Sequence, residues 1–329
     1  MKKNNANKIL LAVLMIATLG MYSASAETKV DERIPKYKKA TGVSGNANSI
    51  GSDTMNNLMT LWLEGFRKYY PLVNVQIEGK GSSTAPPALI EGTAQFGPMS
   101  RPMKSKEIDS FEKKYGFKPT EIRTSLDALA VFVHKDNPLK SLSLDEVDAV
   151  FSKNRKRGIA EDIVTWGGLG LTGEWANQPI RLFGRNSASG TYGYFKDEAL
   201  KKGDFKDAVK EQPGSASVVQ GITEDKFAMG YSGIGYKTSG VKTLALSDKK
   251  GDKVYDGSYE NVLNGDYPLS RYLYLYIVKS PTKPLDPLVK EFLKFVLSYE
   301  GQEIVVKDGY LPLSYDVVME QLQMLESGS

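Results

Sequence analysis

Cysteine is absent from all 329 residues, and histidine occurs once, at position 134. Those two shortages exclude a disulfide scaffold, a thiolate nucleophile, an iron–sulfur or Cys-based zinc site and a histidine-rich metal centre, and no cofactor is expected. An excess of one charge sign is also missing, since 43 Lys+Arg stand against 39 Asp+Glu. So balanced a surface attracts neither nucleic acid nor anionic membrane. Gly-x-Ser-x-Gly and His-Glu-x-x-His are lacking, as are solenoid repeats, low-complexity tracts and apolar runs of spanning length.

What is present begins with an export pattern. Lys2, Lys3 and Lys8 precede an apolar run from Ile9 to Leu19, and Ala24-Ser25-Ala26 supplies a small-x-small cleavage signal, so residues 1–26 read as a secretory signal peptide. The run falls short of the ~20 residues of a membrane span, and no cysteine is available to carry a lipid, so a soluble exported product is expected. Residues 27–44 are polar and lysine-rich without periodicity and read as a flexible lead-in.

From Asn48 onward the chain alternates strands, glycine turns and helices, which argues an α/β fold. Met55, Leu58, Met59, Trp62, Phe66 and Tyr69 recur at helical spacing up to Pro71, and Val73, Val75 and Ile77 alternate as in a strand. A helix is expected over Pro87–Gly92, a short strand ending at Phe96-Gly97, and further helices over Leu144–Phe151 and Leu288–Tyr299. Two β-rich apolar runs, Leu126–His134 and Tyr272–Val278, bracket a middle segment as two crossings between lobes would. The expected division is lobe 1 over 45–131 plus 276–329 and lobe 2 over 132–275.

Three turns rich in glycine and hydroxyls each precede an expected helix: Gly51-Ser52-Asp53-Thr54, Gly81-Ser82-Ser83-Thr84 and Arg185-Asn186-Ser187-Ala188-Ser189-Gly190-Thr191. A helix N-terminus offers unpaired N–H groups and partial positive charge, so each turn is a candidate anion cradle, although Ser and Thr also serve there as plain caps. Converging donors without a base or a metal fit binding an oxyanion rather than transforming it.

The third turn resembles the Arg-x-x-x-Ser-Gly-Thr phosphate loop of the substrate-binding proteins of phosphate ABC transporters, the PstS family. In order and spacing, Gly51–Thr54, Gly81-Ser82-Ser83, Ala228-Met229-Gly230-Tyr231 and Gly309-Tyr310-Leu311-Pro312 are similar to further family elements, so the likeness runs over roughly residues 48–313. It implies a two-lobed type II periplasmic substrate-binding fold that captures inorganic phosphate between the lobes. It also implies delivery to the membrane permease of an ABC importer from the periplasm, with no catalysis, and a monomer is expected. Carried over by position, Thr54, Ser82, Arg185, Ser189, Gly190 and Thr191 are ligand contacts. Ser100 stands where the family often has a proton-accepting aspartate, with Arg101 just after it. Asp53, Ser83 and Arg101 are subsidiary candidates, Asp53 as a substitute acceptor or a helix cap. The departure at Ser100 leaves the rejection of sulfate open, and a protein for sulfate, arsenate, tungstate or molybdate is the alternative; an exported phosphatase is a remoter one.

Other features read more plainly. His134 ends a strand, Lys153-Asn154-Arg155-Lys156-Arg157 reads as a solvated loop, and Tyr236 interrupts the near-match to a nucleotide loop over Gly230–Thr238.

Overall fold

A computed structural model of the chain describes residues 28–326, so the expected signal peptide lies outside the described residues. In chain order the elements are β1 (Gly45–Ile50), α1 (Asn56–Arg67), β2 (Val73–Glu78), α2 (Ala85–Glu91), β3 (Gly97–Met99), α3 (Ser105–Tyr115), β4 (Thr120–His134), β5 (Ser141–Ser143) and α4 (Leu144–Phe151). There follow β6 (Arg181–Arg185), α5 (Gly190–Glu198), β7 (Lys210–Gln212), α6 (Ser215–Glu224), β8 (Ala228–Gly233), β9 (Val241–Thr243) and β10 (Ala245–Ser247). The chain closes with α7 (Tyr259–Leu263), β11 (Ser270–Ile277), α8 (Pro287–Val296), α9 (Tyr299–Lys307) and α10 (Tyr315–Glu326).

The expected α/β class is the one observed. β1, α1 and β2 form a parallel βαβ unit with Gly45 opposite Val73. Helix α1 forms because Leu58, Met59, Trp62, Leu63 and Phe66 make one apolar face, and it is anchored by Trp62 Nε1 donating to the Gly301 carbonyl at 2.9 Å. The main sheet runs β3-β11-β4-β8-β6-β7, with β9 also on β4. Its axis is β4: residues 120–128 pair antiparallel with β11, and Leu129–Val133 pair with β8. The two apolar runs bracketing the middle segment therefore lie on adjacent strands but meet only where Leu126 faces Tyr272, and β4 is buried from Thr124 to Val133.

Local chemistry fixes several boundaries. Helix α4 spans the expected residues and opens with a capping box in which Ser143 Oγ accepts from Glu146 N and Glu146 Oε2 accepts from Ser143 N. The helix expected over Leu288–Tyr299 is α8, which stops at Val296, and Tyr299 already belongs to a second helix. Ser298 Oγ accepts from Gly301 N and starts the second, and a β-carbon at Gly301 would run into the Phe295 and Val296 carbonyls. Helix α2 begins two residues earlier than expected, and the short strand falls at Gly97–Met99 because it pairs with Tyr274–Tyr276 of β11.

The lead-in is not loose. Val30, Ile34 and Val43 are buried, the Tyr37 hydroxyl donates to Glu291, and Tyr299 N donates to the Pro35 carbonyl. Three apolar residues and one tyrosine in an otherwise charged stretch are too few to show periodicity, yet they suffice to strap it to α8 and α9.

Candidate functional site

The turns that end β1 and β2, the end of β3 and the loop after β6 meet at the carboxyl ends of their strands, the usual position for a ligand in α/β sheets. Gly51 N donates to the Glu78 carbonyl, Ser52 N to Pro98 O and Gly81 N to Gly51 O, which stacks the first three segments. Gly81 needs to be glycine, since its φ is +111° and a β-carbon would press on Ala188.

Four buried hydroxyls converge there. Thr54 Oγ1 lies 2.9 Å from Thr191 Oγ1, Ser82 Oγ 3.3 Å from Ser100 Oγ, and Ser100 Oγ 3.5 Å from Thr191 Oγ1. Ser100 N donates to Ser82 Oγ at 3.0 Å. Gly190 opens α5 directly against this group, and a β-carbon on it would sit 2.7 Å from Ser100 Oγ and closer still to Ser82 Oγ. Thr54, Ser82, Ser100, Gly190 and Thr191 are thus brought together. Ser189 is adjacent, but its hydroxyl is occupied as the α5 cap, accepting from the amides of Thr191 and Tyr192.

Arg185, at the end of β6, is 1% exposed. Its Nη1 donates to Ser215 Oγ at 2.6 Å and lies 3.1 Å from Asp53 Oδ2, its Nη2 donates to Pro213 O, and its buried Nε has no partner. Burial pulls the guanidinium below its ordinary range and the Asp53 charge opposes that pull. Asp53 does not cap the helix that follows its own turn but meets the first amide of α6 instead. Its Oδ2 accepts from Ser215 N at 2.8 Å and faces Arg185. Two tyrosines fix the turn it stands on, Tyr236 donating to Asp53 O and Tyr310 to Thr54 O.

Arg101 is committed elsewhere. Its fork holds both oxygens of Glu107, at 2.7 and 2.8 Å, and it reaches Ser83 Oγ at 3.4 Å. Neither Arg101 nor the Ser83 hydroxyl is hydrogen-bonded to the four-hydroxyl group. The cation that does reach it is Arg271 on β11, whose Nη2 donates to Thr191 Oγ1 at 3.1 Å and whose Nη1 donates to Ser100 O at 2.8 Å. Arg271 is paired with Asp127, its register partner on β4, through Nε and Nη2 at 2.9 and 2.7 Å. Sequence reasoning missed this pair. The available signal was a charge inside one apolar run, Asp127, and another immediately before the second, Arg271, because a buried charge demands a partner.

The remaining candidates lie elsewhere. His134 ends β4, where its Nδ1 accepts from Asp136 N. The basic run is not free loop: Lys153 pairs with Asp207, Arg155 with Asp162 and Arg157 with Asp248, while Lys156 donates to the Lys202 carbonyl. Among the described residues no group of three or more His, Asp or Glu is placed to hold a metal.

The profile described as PBP superfamily domain matches residues 38–300. The chain is 57% identical over 97% of its length, and 98% of the relative's, to the phosphate-binding protein PstS of Pseudomonas aeruginosa. It superposes on a substrate-binding protein assigned to a phosphate ABC transporter of Clostridium perfringens, solved with bound phosphate. The TM-score is 0.69 at 24% identity, covering 82% of this chain and 100% of that one. An ABC-type phosphate transport receptor of Vibrio cholerae gives 0.62 at 20% identity over 81% and 100%. These structural likenesses establish the fold, and near full-length identity to PstS establishes the rest: the chain belongs to the PstS family of phosphate-binding proteins.

Proposed function

We propose that the protein captures inorganic phosphate between two lobes, 45–131 plus 276–329 and 132–275, and delivers it to the permease of an ABC importer. It is a binding protein, not an enzyme, like the phosphate-binding relatives it resembles. One observation carries the reading: four buried hydroxyls from four chain segments converge at the start of α5, flanked by two arginines each neutralised by one aspartate. A dehydrated oxyanion needs many directed donors and little net charge, and this arrangement supplies both. Thr54, Ser82, Ser100, Gly190 and Thr191 are the contacts, Arg185 offers its unpartnered Nε, and Ser189 caps the loop that presents them.

The proposed lobes already touch through Ser83 N to Ala188 O and Ser215 N to Asp53. Ligand release then requires hinge motion about β4 and β11. The periplasm and a monomer are the proposed location and state; among the described residues no helix is long and apolar enough to cross a membrane. Calorimetric titration with phosphate and then sulfate tests the reading: tight phosphate uptake supports it, and no heat with phosphate overturns it. Because Ser100 replaces a carboxylate with a hydroxyl, uptake of another tetrahedral oxyanion is the second reading, and the sulfate arm decides it.

A further inference from the structure

We propose that Arg271 is a positioning residue for the anion site, which fixes the Thr191 hydroxyl as an obligate donor to the bound oxyanion. This rests on the phosphate-binding reading and adds to it a residue outside the loop that carries the family likeness.

A threonine hydroxyl has one proton to give and two lone pairs to accept with, and its role is set by what its neighbours take. At Thr191 the choice is made by the hinge. Arg271 Nη2 donates to Thr191 Oγ1 at 3.1 Å, and a guanidinium can only donate, so the O–H of Thr191 must point away from it. The remaining neighbours are Thr54 Oγ1 at 2.9 Å and Ser100 Oγ at 3.5 Å, so the proton is turned into the cluster. The guanidinium cannot swing aside. Asp127 Oδ2 holds Nε and Nη2, Ser100 O holds Nη1, and the Tyr194 ring lies 5.4 Å from its central carbon. Asp127 is held in turn, its Oδ1 accepting from Ile234 N. With 2% and 0% side-chain exposure the pair is as rigid as the sheet it belongs to.

Ser82 is treated the same way by a different donor, since its Oγ accepts from Ser100 N and its proton is also left to give. Ser100 Oγ is the contrast: its neighbours in the cluster are hydroxyls, which can reverse, so it can accept a ligand proton as well as donate. Arg271 thereby divides the cluster into fixed donors and one adaptable group, and it does so from the strand about which the lobes would move.

The test is a double-mutant cycle read by phosphate titration. Thr191→Val removes the hydroxyl, and Asp127→Asn with Arg271→Met removes the ion pair without stranding a charge in the sheet. In the presence of Thr191, deleting the pair should weaken phosphate binding about 10- to 100-fold. Thr191→Val should then cost much less in the pair-deleted protein than in the wild type. If Thr191→Val costs the same factor in both backgrounds, Arg271 does not act through Thr191 and the inference is overturned. If the pair-deleted protein does not fold, Arg271→Lys serves, since it keeps the charge on Asp127 but replaces the fork by a point donor. Weakened phosphate binding at an unchanged apo melting temperature supports the inference, and undiminished binding overturns it. A wild-type protein that takes up no phosphate overturns the binding reading and this inference with it, whereas additivity in a protein that binds phosphate overturns this inference alone.

Discussion

Two arginine–aspartate pairs flank the hydroxyl cluster, and they differ in who brings the partner. Arg271 and Asp127 are register partners on adjacent strands, so the sheet itself holds them together at 2% and 0% side-chain exposure. Arg185 and Asp53 come from the end of β6 and the turn after β1, and meet only because those segments meet, with Asp53 still 22% exposed. The first pair is a piece of architecture. The second ties the end of a strand to a turn rather than strand to strand, and its aspartate keeps access to water.

That contrast sets the size and the kind of effect each pair should show. Asp127→Ala would strand a guanidinium inside the sheet, and breaking a buried pair by removing one partner costs about 3–5 kcal/mol. Urea unfolding of the ligand-free protein should register a loss of that order, and a loss below about 1 kcal/mol would erase the distinction between the pairs. Arg185→Ala should show the opposite profile. It removes the Nε donor proposed for the anion, and a broken charge contact with ligand costs about 2–5 kcal/mol, roughly 30- to several-thousand-fold in phosphate affinity. Its ligand-free stability should fall less than that of Asp127→Ala, because Asp53 can rehydrate. Arg185→Lys should recover part of the binding only, since one ammonium cannot hold Ser215 and Pro213 and also stand in for Nε. Near-normal phosphate affinity in Arg185→Ala would remove Arg185 from the site.

The same contrast explains what could be read before the fold was known. Arg185 was legible because a local motif surrounds it: the residues from Arg185 to Thr191 are contiguous, and a helix start after a strand is a local event. Thr54 and Ser82 were legible for the same reason, each in a glycine turn ahead of a helix. Arg271 and Asp127 were not, because their meaning lies in a pairing across 144 positions of sequence, and only the antiparallel register of β4 and β11 puts them face to face. Arg101, a subsidiary candidate beside Ser100 in sequence, is held by Glu107 in the first turn of α3, a pairing that no local motif marked. Likewise the apolar runs of the two crossings were visible, while helices α3, α6 and α10 drew no expectation, α3 burying Phe111 alone and α10 only two apolar residues, too few to mark a face.

Gly190→Ala probes the cluster between the pairs. The added methyl would overlap Ser82 Oγ and Ser100 Oγ, and overpacking of this kind costs about 1–3 kcal/mol when the neighbours must shift. Since those neighbours are the proposed anion donors, the loss should appear in phosphate titration as a weakening of about 5- to 150-fold, on the scale of tenfold per 1.4 kcal/mol. Unchanged binding would mean that the ligand does not sit against the start of α5.

The smallest effect on phosphate, and the most informative about selectivity, is expected at Ser100, the hydroxyl that neither pair nor any backbone N–H commits to one role. Ser100→Asp would place a carboxylate beside Ser82 and Thr191, close enough to face an oxygen of the bound anion. Hydrogenphosphate can answer an acceptor with its own proton, whereas sulfate at neutral pH has none and would meet repulsion between like charges. Sulfate affinity should therefore fall by more than phosphate affinity. The ratio of the two, from competitive titration of one protein preparation, is the quantity to measure, because a general disturbance of the cluster lowers both terms alike. An equal loss for both anions would show that position 100 does not face the ligand, leaving Asp53 and Asp127, the carboxylates held by the two arginines, as the acceptors to test.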